Sequence, residues 1–337
     1  MAQEYVGIDL HRRRSVIYRM DQAGNKIDSV RVDNDPIHFA KEVSAAPVGS
    51  DVIVEATYGW YWAADLLAEM GYQVHLANPH GNDWGHRRVK NDERDARDLA
   101  DLLRLGRLAE AWIAPPKTRE LREMVRFRMK LCNLRTGLKA QVHAVMAKNG
   151  ILPSRGDMWG PGGAAQLDSL ELPDAYFNRI AVLRDLVELY DREIGFLDRD
   201  IHRILCDDAG YNAVQAIYGV GQVFAAIFVA EIGDVSRFDS PKALCSWAGL
   251  TPKHRESDIH VHRGKITKQG SRLVRWAATE AVVRYHGGDP FRGKFEAIAE
   301  RRGKTKANVA IARRVLTLVY YGLRDGEIRS LAVQEAA

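Results

Sequence analysis

Two short apolar segments of this chain each end in a carboxylic acid. Asp9 follows the run YVGI, and Glu55 follows the run DVIV. Short runs rich in Val and Ile are typical of strands buried inside a sheet. A charge at the end of a buried strand is costly unless a cation or a polar partner offsets it. The fold therefore has to place both acids at a sheet edge, where they can lie side by side if the two strands are neighbours.

A helix that opens on two acids is the second constraint. Asp92 and Asp95 stand three residues apart in VKNDERDARDLA, so both project from one side of a helix. Spacing alone leaves the choice open, because Asp98 and Asp101 continue the pattern. Each acid alone is also explained as a turn cap or as a complement to the helix dipole. Together the acids predict a site for one or two Mg²⁺ ions, of the kind that serves phosphoryl transfer.

The first 115 residues have the pattern of an α/β domain. Strands are predicted over 4–9, 14–20, 26–33, 51–55 and 72–77, and helices over 59–70 and 92–106. Three strands joined by tight turns, followed by alternating strands and helices, predict a mixed sheet flanked by helices. Residues 1–115 are therefore expected to form one domain that ends near Pro115 and Pro116.

The middle segment, 116–208, predicts long helices. The first spans 117–148, and a Gly- and Pro-rich loop is expected over 150–172. In the second helix, apolar residues alternate in steps of three and four: Ile180, Leu183, Val187, Tyr190, Ile194, Leu197, Ile201 and Ile204. This heptad pattern predicts a coiled coil, either antiparallel within the chain or between subunits.

The last segment, 209–330, predicts a mainly α-helical domain with a tail at 331–337. Helices are expected over 270–287 and 306–324. Gly219 and Gly221 form a Gly-x-Gly turn before a helix start, which can present backbone N–H groups to a phosphate. Residues 250–270 are rich in charge and poor in apolar residues, which indicates an exposed loop or hairpin.

Basic residues are concentrated in three stretches, at 117–148, 253–275 and 301–314. One charged run is often only a solvated helix face, but three of them in a chain of net charge +5 favour a nucleic-acid partner. The candidate contacts to nucleic acid are Arg119, Arg122, Arg126, Arg128, Lys130, Arg135, Lys139, Gly219, Gly221, Arg255, Arg263, Lys265, Lys268 and Arg272.

Several other classes of protein are disfavoured. No apolar run reaches the length of a membrane helix, and the N-terminus lacks the pattern of a secretory signal. Cys132, Cys206 and Cys245 are too far apart for a paired-thiol zinc site. The histidines at 254, 260 and 262 have no cysteine nearby and are better explained as surface or phosphate-contacting groups. We expect a cytoplasmic protein without a membrane segment.

Strings in both halves of the chain resemble one family of proteins. VGIDLHRR, IVEATYGWY and VKNDERDARDLADLL resemble the RuvC-like (ribonuclease-H-like) DEDD domain of insertion-sequence transposases, a family that includes the Piv-type DNA invertases. GVGQVFAAIFVAEIGDVSRFDSPKALCSWAGLTP and RGKITKQGSRLVRWA resemble the C-terminal transposase domain of the same family. The resemblance covers about 4–113 and 211–290 in the family's order, and the middle helices match only in character.

The resemblance implies a joint active site. Because Lys90–Ala96 matches the family's Lys-Thr/Asn-Asp-x-x-Asp-Ala string, the family's metal-binding acids fall on Asp9, Glu55, Asp92 and Asp95. The family's nucleophilic serine falls on Ser257, the only serine between LTP and RGKITKQG. The family usually has glycine after this serine, where the chain has Asp258. Arg255, Arg263, Lys265 and Lys268 stand nearby and could hold the scissile phosphate.

The function implied is that of an Mg²⁺-dependent DNA transposase or site-specific recombinase, which cleaves and rejoins strands through the acids and the serine. The implied partners are donor and target DNA, a structured guide (bridge) RNA, and further copies of the chain in a homodimer or homotetramer. Two alternatives stay open. One is a RuvC-like Holliday-junction nuclease that uses water as its nucleophile, and the other is a non-catalytic nucleic-acid-binding protein.

Overall fold

The chain forms two units, Met1–Ala114 and Pro115–Ala337, each compact in itself. They are seen in a computed structural model that describes residues 3–79, 81, 91–153, 158–257, 260–283 and 291–331. For residues 255, 257 and 260–263 the description is of the backbone alone. The sequence predicts a boundary at 208, between a long-helix segment and a C-terminal domain, and this boundary within the second unit stays a prediction.

The N-terminal unit is built on a five-stranded mixed sheet. In chain order its strands are β1 (Tyr5–Leu10), β2 (Arg14–Met20), β3 (Lys26–Asp33), β4 (Asp51–Glu55) and β5 (Gln73–Ala77). Across the sheet the order is β3-β2-β1-β4-β5. The first three strands are antiparallel, whereas β1, β4 and β5 run parallel. The five predicted strands and the mixed sheet are confirmed.

Helices cover both faces of this sheet. On one face, α1 (Pro36–Val43) and α2 (Trp60–Glu69) share an apolar cluster with Val6 and Ile8 of β1. On the other face, α3 (Asp92–Arg104) packs against residues such as Val16 and Tyr18. Helices α2 and α3 were predicted to within two residues. The eight-residue α1 was missed, because it offers only two turns of apolar periodicity.

The C-terminal unit begins with two long helices, α4 (Pro116–Lys148) and α6 (Asp174–Leu205). They run antiparallel: Arg128 pairs with Asp198, and Arg135, two turns further along α4, pairs with the earlier residue Asp191 of α6. The predicted loop over 150–172 needs a correction, because it contains α5 (Pro161–Asp168). This short helix starts at a proline and buries Leu167, two features that outweigh a Gly- and Pro-rich composition.

The predicted heptad stripe of α6 is largely used inside the chain. Ile180, Leu183, Val187, Ile194 and Ile201 are buried. At the end of the helix the pattern slips, because Ile204 is 55% exposed and the following leucine is buried instead. Whether the two helices have coiled-coil packing stays a prediction.

Short helices and a hairpin complete this unit. The helices are α7 (Ala209–Gln215), α8 (Gln222–Ile232), α9 (Pro241–Trp247), α10 (Arg272–Val283), α11 (Arg292–Arg302) and α12 (Lys304–Asp325). Their common core includes Phe228, Leu244 and Val315, and it takes in Leu121 of α4 and Ile201 of α6. The mainly helical character of this segment was predicted, and the helices predicted over 270–287 and 306–324 correspond to α10 and α12. Residues 284–287 of the first prediction lie outside the described residues.

The charged segment 250–270 contains a β-hairpin of β6 (Pro252–Ser257) and β7 (His260–Ile266). The sequence predicts either an exposed loop or a hairpin here, and the antiparallel pairing of β6 with β7 shows that it is a hairpin. None of the helices in the described part of the chain has the length and apolar character to cross a membrane.

Candidate active site

Asp9 and Glu55 lie next to each other at the carboxyl ends of two neighbouring inner strands of the N-terminal sheet. Strands β1 and β4 are parallel neighbours in which Ile8 pairs with Val54, so the following residues, Asp9 and Glu55, are also adjacent. Both point to the face that carries α3, because side chains alternate along a strand and Ile53, two residues before Glu55, packs on that helix. The expectation that the two strands are neighbours is confirmed.

Helix α3 adds the other two acids in its first turn. The side chain of Asn91 caps the helix by accepting a hydrogen bond from the backbone N–H of Glu93 at 3.1 Å. Ala96, Leu99 and Ala100 form the buried stripe of the helix. This stripe fixes the rotation of α3 about its axis, and it thereby sets the direction of the first-turn residues Asp92 and Asp95.

Gly7 allows α3 to approach the sheet closely. It lies two residues before Asp9 on the same face of β1, and a Cβ atom at this position would be 1.9 Å from the carbonyl oxygen of Ala96. No side chain can occupy that space without moving the helix. The glycine in VGID therefore has a definite role, which is to bring the start of α3 down to the end of β1.

The electrostatics of Asp9 show that the other three acids lie close enough to act on it. Asp9 is only 6% exposed. The pKa of its carboxyl group is raised to about 6, chiefly by burial; His11 acts to lower this pKa, and the negative charges of Asp95, Asp92 and Glu55 act to raise it. One oxygen, Oδ2, is fully buried and accepts no hydrogen bond of good geometry among the described residues, although the imidazole of His11 lies beside it. A buried carboxylate oxygen of this kind calls for a cation.

His11 is part of this cluster and was missed in the sequence. Its Nε2 lies 3.2 Å from Oδ2 of Asp9 and 3.5 Å from Oδ1 of Asp92. One ligand atom from each of the three residues lies within 4.8 Å of the others. The only signal in the sequence was a histidine two positions after Asp9. Its return to the acids depends on the turn into β2, where the His11 N–H donates to the carbonyl of Arg14.

The geometry of this cluster fits a divalent cation. In an octahedral Mg²⁺ site the ligands lie at about 2.0–2.1 Å, so that adjacent ligand atoms are about 3 Å apart. The separations of 3.2 and 3.5 Å between His11 Nε2 and the two carboxylates are close to that spacing. Oxygen-rich donor sets suit Mg²⁺ and Mn²⁺, and an imidazole is compatible with Mn²⁺. The residues therefore fit the metal that the sequence predicts.

Cationic side chains surround the acids. Arg31 of β3 lies 3.7 Å from Asp92, and Lys26 lies 2.5 Å from Glu93. In the turn after β1 and at the first position of β2, residues 12–14 are three exposed arginines. Negative charge at the site is thus partly balanced by residues that remain open to solvent.

The candidate serine lies in the hairpin of the C-terminal unit. Ser257 is the last residue of β6, and its backbone pairs with His260 across the hairpin end. Asp258 lies outside the described residues, and the side chains of Ser257, Arg255 and Arg263 are not described. Lys265 is exposed at the other end of the hairpin.

The backbone is strained at Lys268, two residues after the end of β7. This residue has φ of +58°, a conformation that is uncommon for residues other than glycine. Its N–H donates to the carbonyl of Gly249 at 3.1 Å. Gly270 follows, where a Cβ atom would be 1.8 Å from the carbonyl oxygen of Trp247. These contacts hold the RGKITKQG string tightly against the turn before β6.

Most of the arginines predicted to bind nucleic acid along α4 have partners inside the chain. Arg119 is 4% exposed. Arg122 donates to the backbone carbonyls of Ala230 and Glu231, and Arg126 donates to both carboxylate oxygens of Glu231, at 2.7 and 3.1 Å. Burial gives Arg119 a structural role, and these hydrogen bonds give one to Arg122 and Arg126; contact of the three arginines with nucleic acid stays a prediction.

The remaining predicted contacts differ in their surroundings. Arg128 donates to both oxygens of Asp198, and Lys139 lies over the ring of Trp159. Lys130 and Arg272 are exposed. Gly219 has φ of +80°, and Gly221 precedes the first turn of α8 with open space where a Cβ would be.

Two family models match the chain. A DEDD transposase model of the IS110 type, described as Transposase, matches residues 6–149, and the model of the transposase IS116/IS110/IS902 family matches residues 211–286. The chain belongs to this transposase family. The resemblance seen in both blocks of the sequence is thereby confirmed, and it supports DNA recombination or transposition as the activity.

Individual transposases and invertases are also similar. The transposase for insertion sequence element IS1111A of Coxiella burnetii is 23% identical over 328 residues, which are 94% of this chain and 88% of that protein. A probable family 20 transposase of Pseudomonas aeruginosa is 27% identical over 66% of this chain and 68% of its own length. The pilin gene-inverting protein of Moraxella lacunata is 33% identical, but over 42% of this chain and 46% of its own length. Neither alternative function, a junction nuclease or a non-catalytic binding protein, is favoured by these relatives.

Proposed function

We propose that this member of the family is a DNA transposase or recombinase that cuts and rejoins strands by means of a metal-binding acidic tetrad and a serine nucleophile. One observation carries the proposal. Glu55, Asp92 and Asp95 all act electrostatically on the buried carboxylate of Asp9, in the domain that the DEDD transposase model matches. We assign this domain to the RuvC-like fold, for which the mixed sheet with acids at the ends of β1 and β4 is the support.

The acids would hold one or two Mg²⁺ ions. Asp9 and Asp92 each offer an oxygen atom close to His11, and Glu55 and Asp95 would complete the donor set. When bound, the metal would lower the pKa of an attacking hydroxyl and stabilise charge on the phosphoryl oxygens. The protein's part is to hold the four carboxylates in place through the packing of α3 on β1, while the positive charge of a protonated His11 would favour the deprotonated form of the buried Asp9.

Ser257 would be the nucleophile. Its hydroxyl proton passes to a base, Oγ forms a bond to the phosphorus, and the bond from phosphorus to the 3′ oxygen breaks. The 3′ oxygen takes up a proton and leaves as a 3′-hydroxyl, so the protein is joined to the 5′ phosphate. Attack by a 3′-hydroxyl on the same phosphorus reverses these steps and rejoins a strand. Arg255, Arg263, Lys265 and Lys268 would hold the phosphate that reacts.

The partners would be donor and target DNA, a structured guide RNA, and other copies of the chain in a dimer or tetramer, all within the cytoplasm. For contact between copies of the chain, another stripe of α6 is the better candidate. The heptad stripe that the sequence suggested for this contact is largely buried within the chain. A second apolar stripe of α6, with a residue at every seventh position, is exposed at Val182, Leu189 and Phe196. This second stripe is the better candidate for contact between subunits.

The test compares matched pairs of variants on end-labelled donor DNA with Mg²⁺. Ser257→Ala should abolish both cleavage and the covalent protein–DNA adduct seen on a denaturing gel, whereas Ser246→Ala, at an exposed serine of α9, should leave both intact. Asp95→Asn should abolish cleavage, whereas Asp101→Asn, on the same helix, should not. If cleavage persists in Ser257→Ala, water is the nucleophile and the proposal is wrong. RNA that copurifies with the protein is sequenced to test the guide.

A further inference from the structure

A wide cleft of about 530 Å³ lies between α9, α11 and α12 of the C-terminal unit. The lining residues that the structure describes include none of the four acids and no residue of the hairpin that carries Ser257. Its floor is largely apolar, with Cys245, Ile298 and Ile311 among the lining residues. Its cationic lining residues are Lys242, Lys294, Arg301, Arg313 and Arg314.

The charge of this cleft is not balanced from within. Among the described residues that line it there is no aspartate or glutamate. None of its five cations forms an ion pair within the described part of the chain, where Arg301 donates instead to the backbone carbonyl of Ala297. The arginines of α4 differ in this respect, because Arg126 and Arg128 are each held by a carboxylate. The cleft therefore presents uncompensated positive charge.

The cations converge from separate helices, which distinguishes the cleft from a solvated helix face. Lys242 comes from α9, Lys294 and Arg301 from α11, and Arg313 and Arg314 from α12. Side chains of like charge repel one another, and this arrangement is stable only at a cost that a polyanion would remove. Four of the five are exposed and Arg313 is half-buried, so their charged groups are open to a ligand.

The chemistry of the lining points to a phosphate backbone. Lys and Arg are the usual partners of phosphate oxygens, whereas the described lining residues include neither an aromatic ring on which a base could stack nor an Asn or Gln that could read a base edge. We propose that this cleft binds the sugar–phosphate backbone of DNA, without sequence preference, at a second site distinct from the acids and Ser257. The choice of DNA rests on the proposed function; the phosphate site itself rests on the cleft.

The experiment measures DNA binding by the full-length protein in EDTA, where cleavage is absent. A labelled duplex of about 30 base pairs and of arbitrary sequence is titrated at several salt concentrations. The test variant Lys294→Gln/Arg301→Gln/Arg314→Gln removes three cations of the cleft. The control variant Lys41→Gln/Arg192→Gln/Arg329→Gln removes three exposed cations elsewhere. Thermal melting of both variants verifies that each is folded, which the exposure of all six side chains leads us to expect.

The test variant should weaken binding about tenfold or more at about 0.15 M salt, and should lower the slope of log affinity against log salt by about 2 to 3. The control should lose much less affinity and keep the wild-type slope. Equal losses in the two variants, or an unchanged slope in the test variant, would overturn the proposal. The same titration is repeated with an RNA duplex of the same sequence. If the test variant loses affinity for the RNA duplex but not for the DNA duplex, the choice of DNA is wrong.

These results are separable from the proposed function. Failure of the wild-type protein to bind DNA would contradict the function itself, whereas DNA binding that is indifferent to the cleft contradicts only this inference. The acidic tetrad and Ser257 are intact in every variant used.

Discussion

The backbone of Gly7 in β1 packs directly against the carbonyl group of Ala96 in α3. A Cβ atom on Gly7 would be 1.9 Å from that oxygen, so this contact sets how closely the helix with Asp92 and Asp95 approaches Asp9. The geometry of the proposed metal site therefore depends on a residue that takes no part in its chemistry.

We expect Gly7→Ala to lower the free energy of unfolding by about 1–3 kcal/mol, because the added methyl group overpacks a close contact. DNA cleavage should fall by more than the loss of folded protein explains, since α3 has to move away from β1. Chemical denaturation and cleavage assays on the same preparation measure both effects. Gly137→Ala is the control, because this glycine lies in α4 with open space around it, and alanine there should be neutral or stabilise by up to about 1 kcal/mol.

The buried charge of Asp9 makes a prediction about pH. Burial raises the pKa of its carboxyl group from 3.8 in the unfolded chain to about 6 in the metal-free protein. Between these values the folded protein holds a proton that the unfolded chain has lost. The contribution of Asp9 to stability is therefore fully present below about pH 4, falls as the pH rises to about 6, and stays low above that.

Asp9→Asn should accordingly raise the melting temperature of the metal-free protein near pH 7 by a few degrees, and by less near pH 4. The same variant should lose cleavage. Differential scanning calorimetry in EDTA at the two pH values measures the effect on stability, and Asp33→Asn, at an exposed position of β3, should show no such pH dependence. Lower stability of Asp9→Asn at neutral pH would show that the carboxylate is well compensated without a metal.

The convergence of the acids could be predicted because each step was local. Strand ends follow from apolar runs, and the spacing of Asp92 and Asp95 fixes their common helix face. The choice of Asp95 over Asp98 was not local, and it came from the family resemblance. His11 could not be placed in advance, because its position depends on the turn after β1 and on the rotation of α3.

The roles of the basic residues were harder to predict, for a physical reason. A run of arginines looks the same in the sequence whether it faces solvent or buried carboxylates. Arg126 pairs with Glu231, 105 residues further along the chain, and no local pattern encodes that contact. The cleft between α9, α11 and α12 likewise brings together cations from three helices, of which the stretch 301–314 gave only a partial indication.

The pair of Arg126 and Glu231 gives a prediction that separates folding from nucleic-acid binding. The carboxylate of Glu231 is 5% exposed and accepts two hydrogen bonds from the guanidinium of Arg126. Arg126→Gln would leave a buried carboxylate without its cation, which should cost about 3–5 kcal/mol in the free energy of unfolding. Lys130→Gln, at an exposed position of the same helix, should change stability by less than about 0.5 kcal/mol. Urea denaturation measures both, and similar small effects for the two variants would show that Arg126 is available to nucleic acid.

His11 gives the sharpest test of the metal site. Its Nε2 lies at the spacing of adjacent metal ligands from Asp9 and Asp92, so we expect it to bind the cation directly and to favour Mn²⁺, which accepts imidazole more readily than Mg²⁺ does. His11→Ala should weaken Mn²⁺ binding by about 10–100-fold and Mg²⁺ binding by less. Calorimetric titration of each metal into the full-length protein near pH 7.5 measures the two affinities, with His38→Ala, an exposed histidine of α1, as the control. If His11→Ala leaves both affinities unchanged, or strengthens them by removing a competing group from the acids, His11 is a counter-charge to the carboxylates and not a ligand.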